Sequence, residues 1–183
     1  MQLFAERAER SNGRPLLNAD NLRDIVKICR FVQGSPLGIE LAAASSRWLS
    51  PAEIYESLQS QFDSLQITTQ DVTLRHRSLQ AVFDYSWQLL TASEQTALAQ
   101  LSVFRRGFQL EAAKMVTHTV PPTIFTLIDK SLVQHLGDGY YGLHELLRQF
   151  AEQKLEEHAI EQAALRDRHV AYYLGGRDRR RWR

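Results

Sequence analysis

The fold of this chain is decided by residues 132–147, Leu-Val-Gln-His-Leu-Gly-Asp-Gly-Tyr-Tyr-Gly-Leu-His-Glu-Leu-Leu. Two short β-prone runs, 132–136 and 140–143, flank a Gly-Asp-Gly turn, and this pattern predicts a β-hairpin. The residues that follow carry apolar side chains at helical spacing, which predicts a helix over 145–157. His144 is therefore expected at a strand-to-helix junction, where unpaired backbone N–H groups attract anions.

Helices are also predicted on both sides of this hairpin. A short helix is expected over 110–116, and Pro121-Pro122 favour the start of another. The order helix, helix, hairpin is typical of a winged helix, here followed by a further helix. We therefore predict a winged-helix domain over 107–158, and a carboxyl-terminal helix and Arg-rich tail over 159–183.

The first half of the chain, residues 1–106, is predicted to form a helical domain. Gly34 ends an apolar stripe of helical spacing, and Ser35-Pro36 provide an N-cap and a first-turn proline for the next helix. Capping boxes at 50–53 and 91–94 begin two more helices, and the aperiodic stretch 63–74 favours a loop. The fold class is accordingly mainly α: a helical bundle, then a winged-helix domain with one small β-hairpin and carboxyl-terminal helices.

Composition sets the broad class of protein. The chain has 183 residues, a net charge of +1 and 44% hydrophobic residues, which is typical of a globular protein and gives no electrostatic case for nucleic acid. Cys29 is the single cysteine and lies on an apolar stripe, which favours a place in the core and a reducing compartment. No apolar run approaches the ~20 residues of a membrane span. We expect a cytoplasmic protein that does not enter membranes.

The chain lacks the usual signatures of catalysis. No Gly-x-x-x-x-Gly-Lys-[Ser/Thr] phosphate-binding loop is present, and the nearest Walker-B candidate, 82–84, lies within a helical stripe. The six histidines are scattered without the paired spacing of a zinc site. Arg75-His76-Arg77 could meet phosphates, although a solvated loop is favoured. The chain alone is expected neither to bind a cofactor nor to hydrolyse ATP.

Several ordered motifs resemble one family. The chain is similar to the carboxyl-terminal part, helical domain plus winged-helix domain, of the NB-ARC module of STAND-class switch ATPases, as in bacterial LuxR- or AfsR-type transcriptional regulators. The residues that carry the resemblance are Leu3-Phe4-Ala5-Glu6-Arg7-Ala8, Gly34-Ser35-Pro36-Leu37-Gly38-Ile39-Glu40-Leu41-Ala42-Ala43-Ala44, Arg75-His76-Arg77-Ser78-Leu79, Asp84-Tyr85-Ser86-Trp87, Leu101-Ser102-Val103-Phe104, Asp129-Lys130-Ser131-Leu132-Val133 and Leu143-His144-Glu145-Leu146-Leu147.

The resemblance implies two nucleotide-contacting residues. Pro36 matches the proline of the family's Gly-Leu-Pro-Leu motif, which packs near adenine. His144 matches the histidine of the Met-His-Asp motif, which contacts the β-phosphate of ADP and holds the inactive state. The chain departs from these motifs at Ser35, Gly38, Leu143 and Glu145. ADP or ATP would be held by a P-loop domain, in cis or in trans, which is the partner that the resemblance implies.

Three functions remain open from the sequence. The first is a regulatory switch and protein-interaction module that senses ADP or ATP on the P-loop domain. The second is a stand-alone winged-helix DNA-binding protein; direct DNA binding is not favoured, because residues 122–131 offer only Lys130 as a base. The third is an inactive truncated gene product, which the patternless Arg-rich end at 175–183 would also fit.

Overall fold

The computed structural model describes residues 1–13, 18, 20–64, 74–157 and 159–179. It divides into two compact units, Met1–Leu90 and Thr91–Arg183. The domain limits expected from the sequence, at 106 and 158, stay predictions.

The first unit is helical in its described part. Its second helix buries Ile25, which belongs to the predicted stripe, and Ile28, which does not. Val32, the last residue of the stripe, is buried just beyond the end of the helix. The elements are α1 Gln2–Asn12, α2 Leu22–Phe31, α3 Pro36–Ala44, the 3-10 turn Ser45–Arg47, α4 Pro51–Ser64 and α5 Leu74–Gln88. Helix α1 packs on α3, and α4 packs on α5.

Helix α3 begins as its sequence predicts. The Ser35 hydroxyl caps it by accepting from the Gly38 N–H at 3.4 Å, and Pro36 occupies the first turn. A Cβ atom at Gly38 would lie only 2.9 Å from Cβ of Val32, so the glycine allows this helix to approach the end of α2. Residues of α3 on every side are buried, as expected for a helix that is apolar all round.

Helices α4 and α5 confirm most of the predicted boundaries. The capping box is formed, with the Ser50 N–H donating to Glu53 at 2.7 Å and the Glu53 N–H to the Ser50 hydroxyl at 3.3 Å. Helix α4 continues to Ser64 and α5 begins at Leu74, so the loop predicted for 63–74 is wrong at both ends. Its middle, 65–73, lies outside the described residues.

The second unit combines helices with a small antiparallel sheet. The capping box of its first helix is formed, with Thr91 and Glu94 exchanging hydrogen bonds. The elements are α6 Ala92–Leu101, β1 Phe108–Gln109, α7 Leu110–Thr117, α8 Pro121–Asp129, β2 Gln134–Gly137, β3 Tyr140–Gly142, α9 Glu145–Glu156 and α10 Ala159–Arg179. The mainly helical fold with a winged-helix domain, predicted from the sequence, is confirmed.

The sheet has one strand more than the sequence indicated. The predicted hairpin is formed by β2 and β3, and β1 joins β3 with Phe108 opposite Tyr141. Gly107 precedes β1 with φ +112°, and a Cβ atom there would lie 2.9 Å from the Tyr141 carbonyl oxygen. Only glycine combines this backbone conformation with so close an approach. Strand β1 therefore depends on Gly107 for its pairing.

Two details of the last helices correct the predictions. Leu147, Phe150, Ala151 and Leu155 of α9 are buried as expected, whereas Leu146 is 38% exposed because it lies one step around the helix. Helix α10 extends through Arg179, five residues beyond the predicted end at 174, so the start of the tail is helical. Residues 180–183 lie outside the described part. None of the described helices is long and apolar enough to cross a membrane.

Candidate functional site

Pro36 is presented to solvent at the start of a firmly held helix. Its neighbours Ser35 and Leu37 are buried, whereas Pro36 itself is exposed. The chain reaches it through two residues in the left-handed region, Gln33 at φ 51° and Gly34 at φ +69°. This turn leaves the apolar pyrrolidine ring uncovered beside the first N–H groups of α3, an arrangement that can contact a flat apolar ligand.

The position of α3 is further fixed by α1. The Arg7 Nη2 atom lies 2.9 Å from Glu40 Oε1, and the Glu40 side chain is 17% exposed. Phe4 and Ala8, on the same helix as Arg7, are fully buried. Apolar packing and a partly buried ion pair thus hold the helix that carries Pro36 in place.

His144 is the N-cap residue of α9. Its Nδ1 atom accepts a hydrogen bond from the Leu146 N–H at 3.3 Å, and its side chain is exposed. A neutral imidazole whose Nδ1 accepts carries its proton on Nε2. The Nε2–H group is therefore a donor, and it lies at a helix N-terminus where the helix dipole also favours negative charge.

The residue after His144 is held by a buried arginine. Arg148 is 6% exposed, and its Nε and Nη2 atoms donate to the two oxygens of Glu145 at 2.9 and 2.8 Å. These hydrogen bonds from Arg148, with a further one from Gln149, lower the pKa of Glu145 to about 2. Glu145 is therefore ionised, and its carboxylate is held by hydrogen bonds within its own helix. His144 is the neighbouring group that can donate a hydrogen bond to an anion.

Arg148 also ties this turn to the rest of the second unit. Its Nη1 atom donates to Glu152 at 2.9 Å and to the Ser102 carbonyl, just beyond α6, at 3.3 Å. Arg148 was not predicted from the sequence as a site residue. The spacing of Glu145, Arg148 and Glu152 at i, i+3 and i+7 was the available signal.

The structure places the two predicted nucleotide contacts in different units. Pro36 lies in the first and His144 in the second. The histidine also performs a local capping role, and its proposed contact with ADP stays a prediction.

Other sequence candidates take structural positions. Cys29 is half-buried rather than fully within the core. Arg75, His76 and Arg77 belong to the first turn of α5, and the Arg77 guanidinium carbon lies 4.3 Å from the Phe62 ring centre. The solvated-loop interpretation is therefore wrong for Arg77. Among the described residues, no group of histidine, cysteine and carboxylate side chains could hold a metal ion.

Comparison with known proteins relates the chain to segments of larger bacterial proteins. Over 94% of its length it is 34% identical to a Mycobacterium tuberculosis protein that carries the provisional name HTH-type transcriptional regulator, and it covers 20% of that protein. A Mycobacterium bovis protein with the same provisional name matches equally. A further M. tuberculosis protein, named only as uncharacterized, is 32% identical over 90% of the chain and is covered for 45% of its length.

The chain spans about a fifth of the length of the first of these relatives and less than half of the last. No family model matches the chain, and no solved structure matches it. The similarity thus relates the chain to transcriptional regulators as a class.

Proposed function

We propose that this chain is the helical and winged-helix regulatory part of a STAND-type switch within a transcriptional regulator. ADP or ATP is held by a P-loop domain, in cis or in trans. Pro36 contacts the adenine and His144 contacts the β-phosphate of ADP. The observation that carries the proposal is the position of His144, an exposed cap at the N-terminus of α9 directly after the hairpin.

The chemistry of this contact suits a switch. The Nε2–H group donates to a phosphate oxygen, and the first N–H groups of α9 add favourable partial charge. The contact exists only when the winged helix lies against the nucleotide. ADP therefore stabilises the state that forms this contact and shifts the two-state equilibrium towards it. The relatives support the proposal, because proteins named as transcriptional regulators contain a segment similar to this chain within a much longer sequence.

On this proposal the chain has no catalytic activity of its own. Purified chain is expected to release no phosphate from ATP above a matched preparation from cells that lack it. Phosphate release that follows the protein through purification would contradict the proposal. The lack of a phosphate-binding loop in the sequence is the reason for this expectation.

The switch role is tested by joining the chain to a P-loop nucleotide-binding domain of the NB-ARC class and measuring retention of ADP. His144→Asn is the informative variant, because asparagine is a good N-cap residue but is too short to replace the imidazole as a donor. His135→Ala is the matched control, since His135 is an exposed histidine of the hairpin. Loss of ADP in the first variant alone supports the proposal, and unchanged retention contradicts it.

The second candidate is a winged-helix protein that binds DNA directly. The provisional name HTH-type regulator of the relatives favours it. The helix before the wing offers little support, because α8 contains no lysine or arginine and exposes Phe125 at 47%. Lys130, the base that follows it, lies with its Nζ atom 2.9 Å from both carboxylate oxygens of Glu94.

Duplex DNA binding separates the two candidates. A DNA reader is expected to bind with an affinity that falls steeply as salt rises, and removal of residues 177–183 would weaken it. Binding at physiological salt that survives this truncation and is abolished by Phe125→Asp would favour a DNA-reading α8. Steeply salt-dependent binding that is lost with residues 177–183 favours a DNA-binding protein whose affinity comes from that arginine-rich end. No binding favours the switch.

A further inference from the structure

A cleft of about 770 Å³ lies within the second unit. One wall is the turn between α6 and β1, with Arg105 and Arg106, and Tyr140 lies at the start of β3. The other wall is a single face of α10, on which Arg166, His169 and Tyr173 follow one another at intervals of three and four residues. This volume suits a small organic molecule.

Aromatic rings form a continuous surface in this cleft. The buried Phe104 ring lies 5.3 Å from the His169 ring, which lies 4.9 Å from the Tyr173 ring, measured between centres. Burial lowers the pKa of His169, which favours its uncharged form. The His169 ring is inclined by 65° to Phe104 and by 56° to Tyr173, so these rings offer both faces and edges against which a further ring can pack.

The charge of the cleft is positive. Three arginines line it, Arg105, Arg106 and Arg166, and all three are exposed. Among the described residues of the lining, the acid is Glu152, which is already engaged by Arg148 at 2.9 Å. Among the described residues, neither Arg106 nor Arg166 forms an ion pair.

A buried donor adds a further polar group. The Nε2 atom of Gln162, one turn before Arg166 on the same face of α10, is buried and has no acceptor within the described part of the chain. Buried amide donors are normally hydrogen-bonded, to protein or to ordered water, so an unsatisfied one is unusual. The cleft thus combines guanidinium groups, an unsatisfied amide donor and flat rings.

We propose that this cleft binds a small organic anion with an aromatic ring, an aryl carboxylate or an aryl phosphate. The guanidinium groups of Arg106 and Arg166 hold the anionic group, since such forks match carboxylate and phosphate oxygens. The rings of His169 and Tyr173 carry the aromatic part. The site lies within one unit and does not depend on the nucleotide contact proposed for His144.

The whole chain is titrated with phenyl phosphate and with benzoate at one salt concentration, with binding followed by calorimetry and by the amide NMR signals of the cleft. At least one aryl anion is expected to saturate the protein. Inorganic phosphate, which has no ring, and benzyl alcohol, which has no charge, are expected to bind at least about tenfold more weakly. The stronger of the two aryl anions identifies the anionic group that the cleft prefers.

Variants locate the binding. The double variant Arg106→Gln/Arg166→Gln is expected to weaken the aryl anion at least about tenfold, and Tyr173→Leu to weaken it without changing the circular dichroism. Arg23→Gln, an exposed arginine of the first unit, is the control and should leave the affinity unchanged.

Several results would overturn the proposal. They are equal affinity for inorganic phosphate, unchanged affinity in the double arginine variant, or no binding of either aryl anion up to ~10 mM. Binding of a single-stranded oligonucleotide in place of both aryl anions would also overturn it, since the surface would then read nucleic acid.

Discussion

Arg148 and Glu145 form a two-pronged ion pair at the start of α9, with Nε and Nη2 at 2.9 and 2.8 Å from the two carboxylate oxygens. The arginine is buried, whereas the Glu145 side chain is 55% exposed. The same guanidinium reaches the Ser102 carbonyl beyond α6. These contacts fix the first turn of α9 beside His144. Arg148, which makes them, contacts none of the proposed ligands.

Replacement of Arg148 by methionine is expected to destabilise the chain by about 1–3 kcal/mol. The change leaves the buried Ser102 carbonyl without this donor, which has a cost of this order. The two carboxylates that lose their partner are accessible to solvent, so their loss adds less. Denaturant unfolding measures the effect. Lys154→Met is the control, because the ion pair that Lys154 forms with Glu157 is long, at 3.6 Å, and the Glu157 side chain is 63% exposed. Equal stability losses in the two variants would contradict the assigned role of Arg148.

The Glu145 carboxylate is expected to give a pH-dependent contribution to stability. Its pKa in the folded chain is about 2, below its ordinary value of 4.5, because Arg148 and Gln149 donate hydrogen bonds to it. The contribution is therefore present above about pH 4.5 and is lost as the pH falls towards 2. Solvent screening at this exposed group keeps it below about 1 kcal/mol.

Carboxyl NMR titration measures this pKa directly. Glu145→Gln should remove the corresponding part of the acid dependence of unfolding, while Glu157→Gln, on an exposed residue at the other end of α9, should leave it in place. A Glu145 pKa near 4.5 in the folded chain would show that the ion pair does not persist in solution.

Gly107 is expected to tolerate no side chain. Gly107→Ala places a Cβ 2.9 Å from the Tyr141 carbonyl oxygen at φ +112°, and we expect a loss of about 1–3 kcal/mol in thermal or denaturant unfolding. Gly139→Asn is the control, because Gly139 has φ +74° with open space around it, and asparagine accepts that conformation. Similar stability in both variants would mean that β1 does not pair as described.

The elements that the sequence predicted are those set by local chemistry. Ser35 and Thr91 bond to backbone within three residues, so their helices could be recognised from short motifs. Strand β1 could not be recognised in this way, because a strand of two residues shows no periodicity and is defined by its pairing with β3, which is distant in sequence. The position of Arg77 over Phe62 likewise depends on the packing of α4 against α5.

In the candidate site too, features set by local sequence could be predicted and features set by long-range packing could not. His144 was found because a helix start after a hairpin is visible in the residue order. The role of Arg148 could not be predicted, because it depends on the packing of α9 against α6. The cleft could not be predicted either, because it forms only where residues 102–107 and 162–173 meet in space. Contacts between segments distant in sequence are set by the fold rather than by any local pattern.

The two roles of His144 can be separated by stability and ligand retention. Because Nδ1 caps α9, His144→Ala is expected to cost about 1 kcal/mol of unfolding free energy, whereas His144→Asn should stay within about 0.5 kcal/mol of the parent chain. Chemical denaturation of the 183-residue chain checks both values. A loss in the asparagine variant as large as that in alanine would contradict the capping role.

The central claim is tested most directly by the rate at which ADP leaves a P-loop domain joined to this chain. A hydrogen bond to a charged phosphate is worth roughly 1.5–3 kcal/mol, so His144→Asn should raise the dissociation rate of ADP at least about tenfold while the fold is retained. The rate in His135→Ala should equal that of the parent. An unchanged rate in His144→Asn would show that His144 caps its helix and does nothing for the nucleotide.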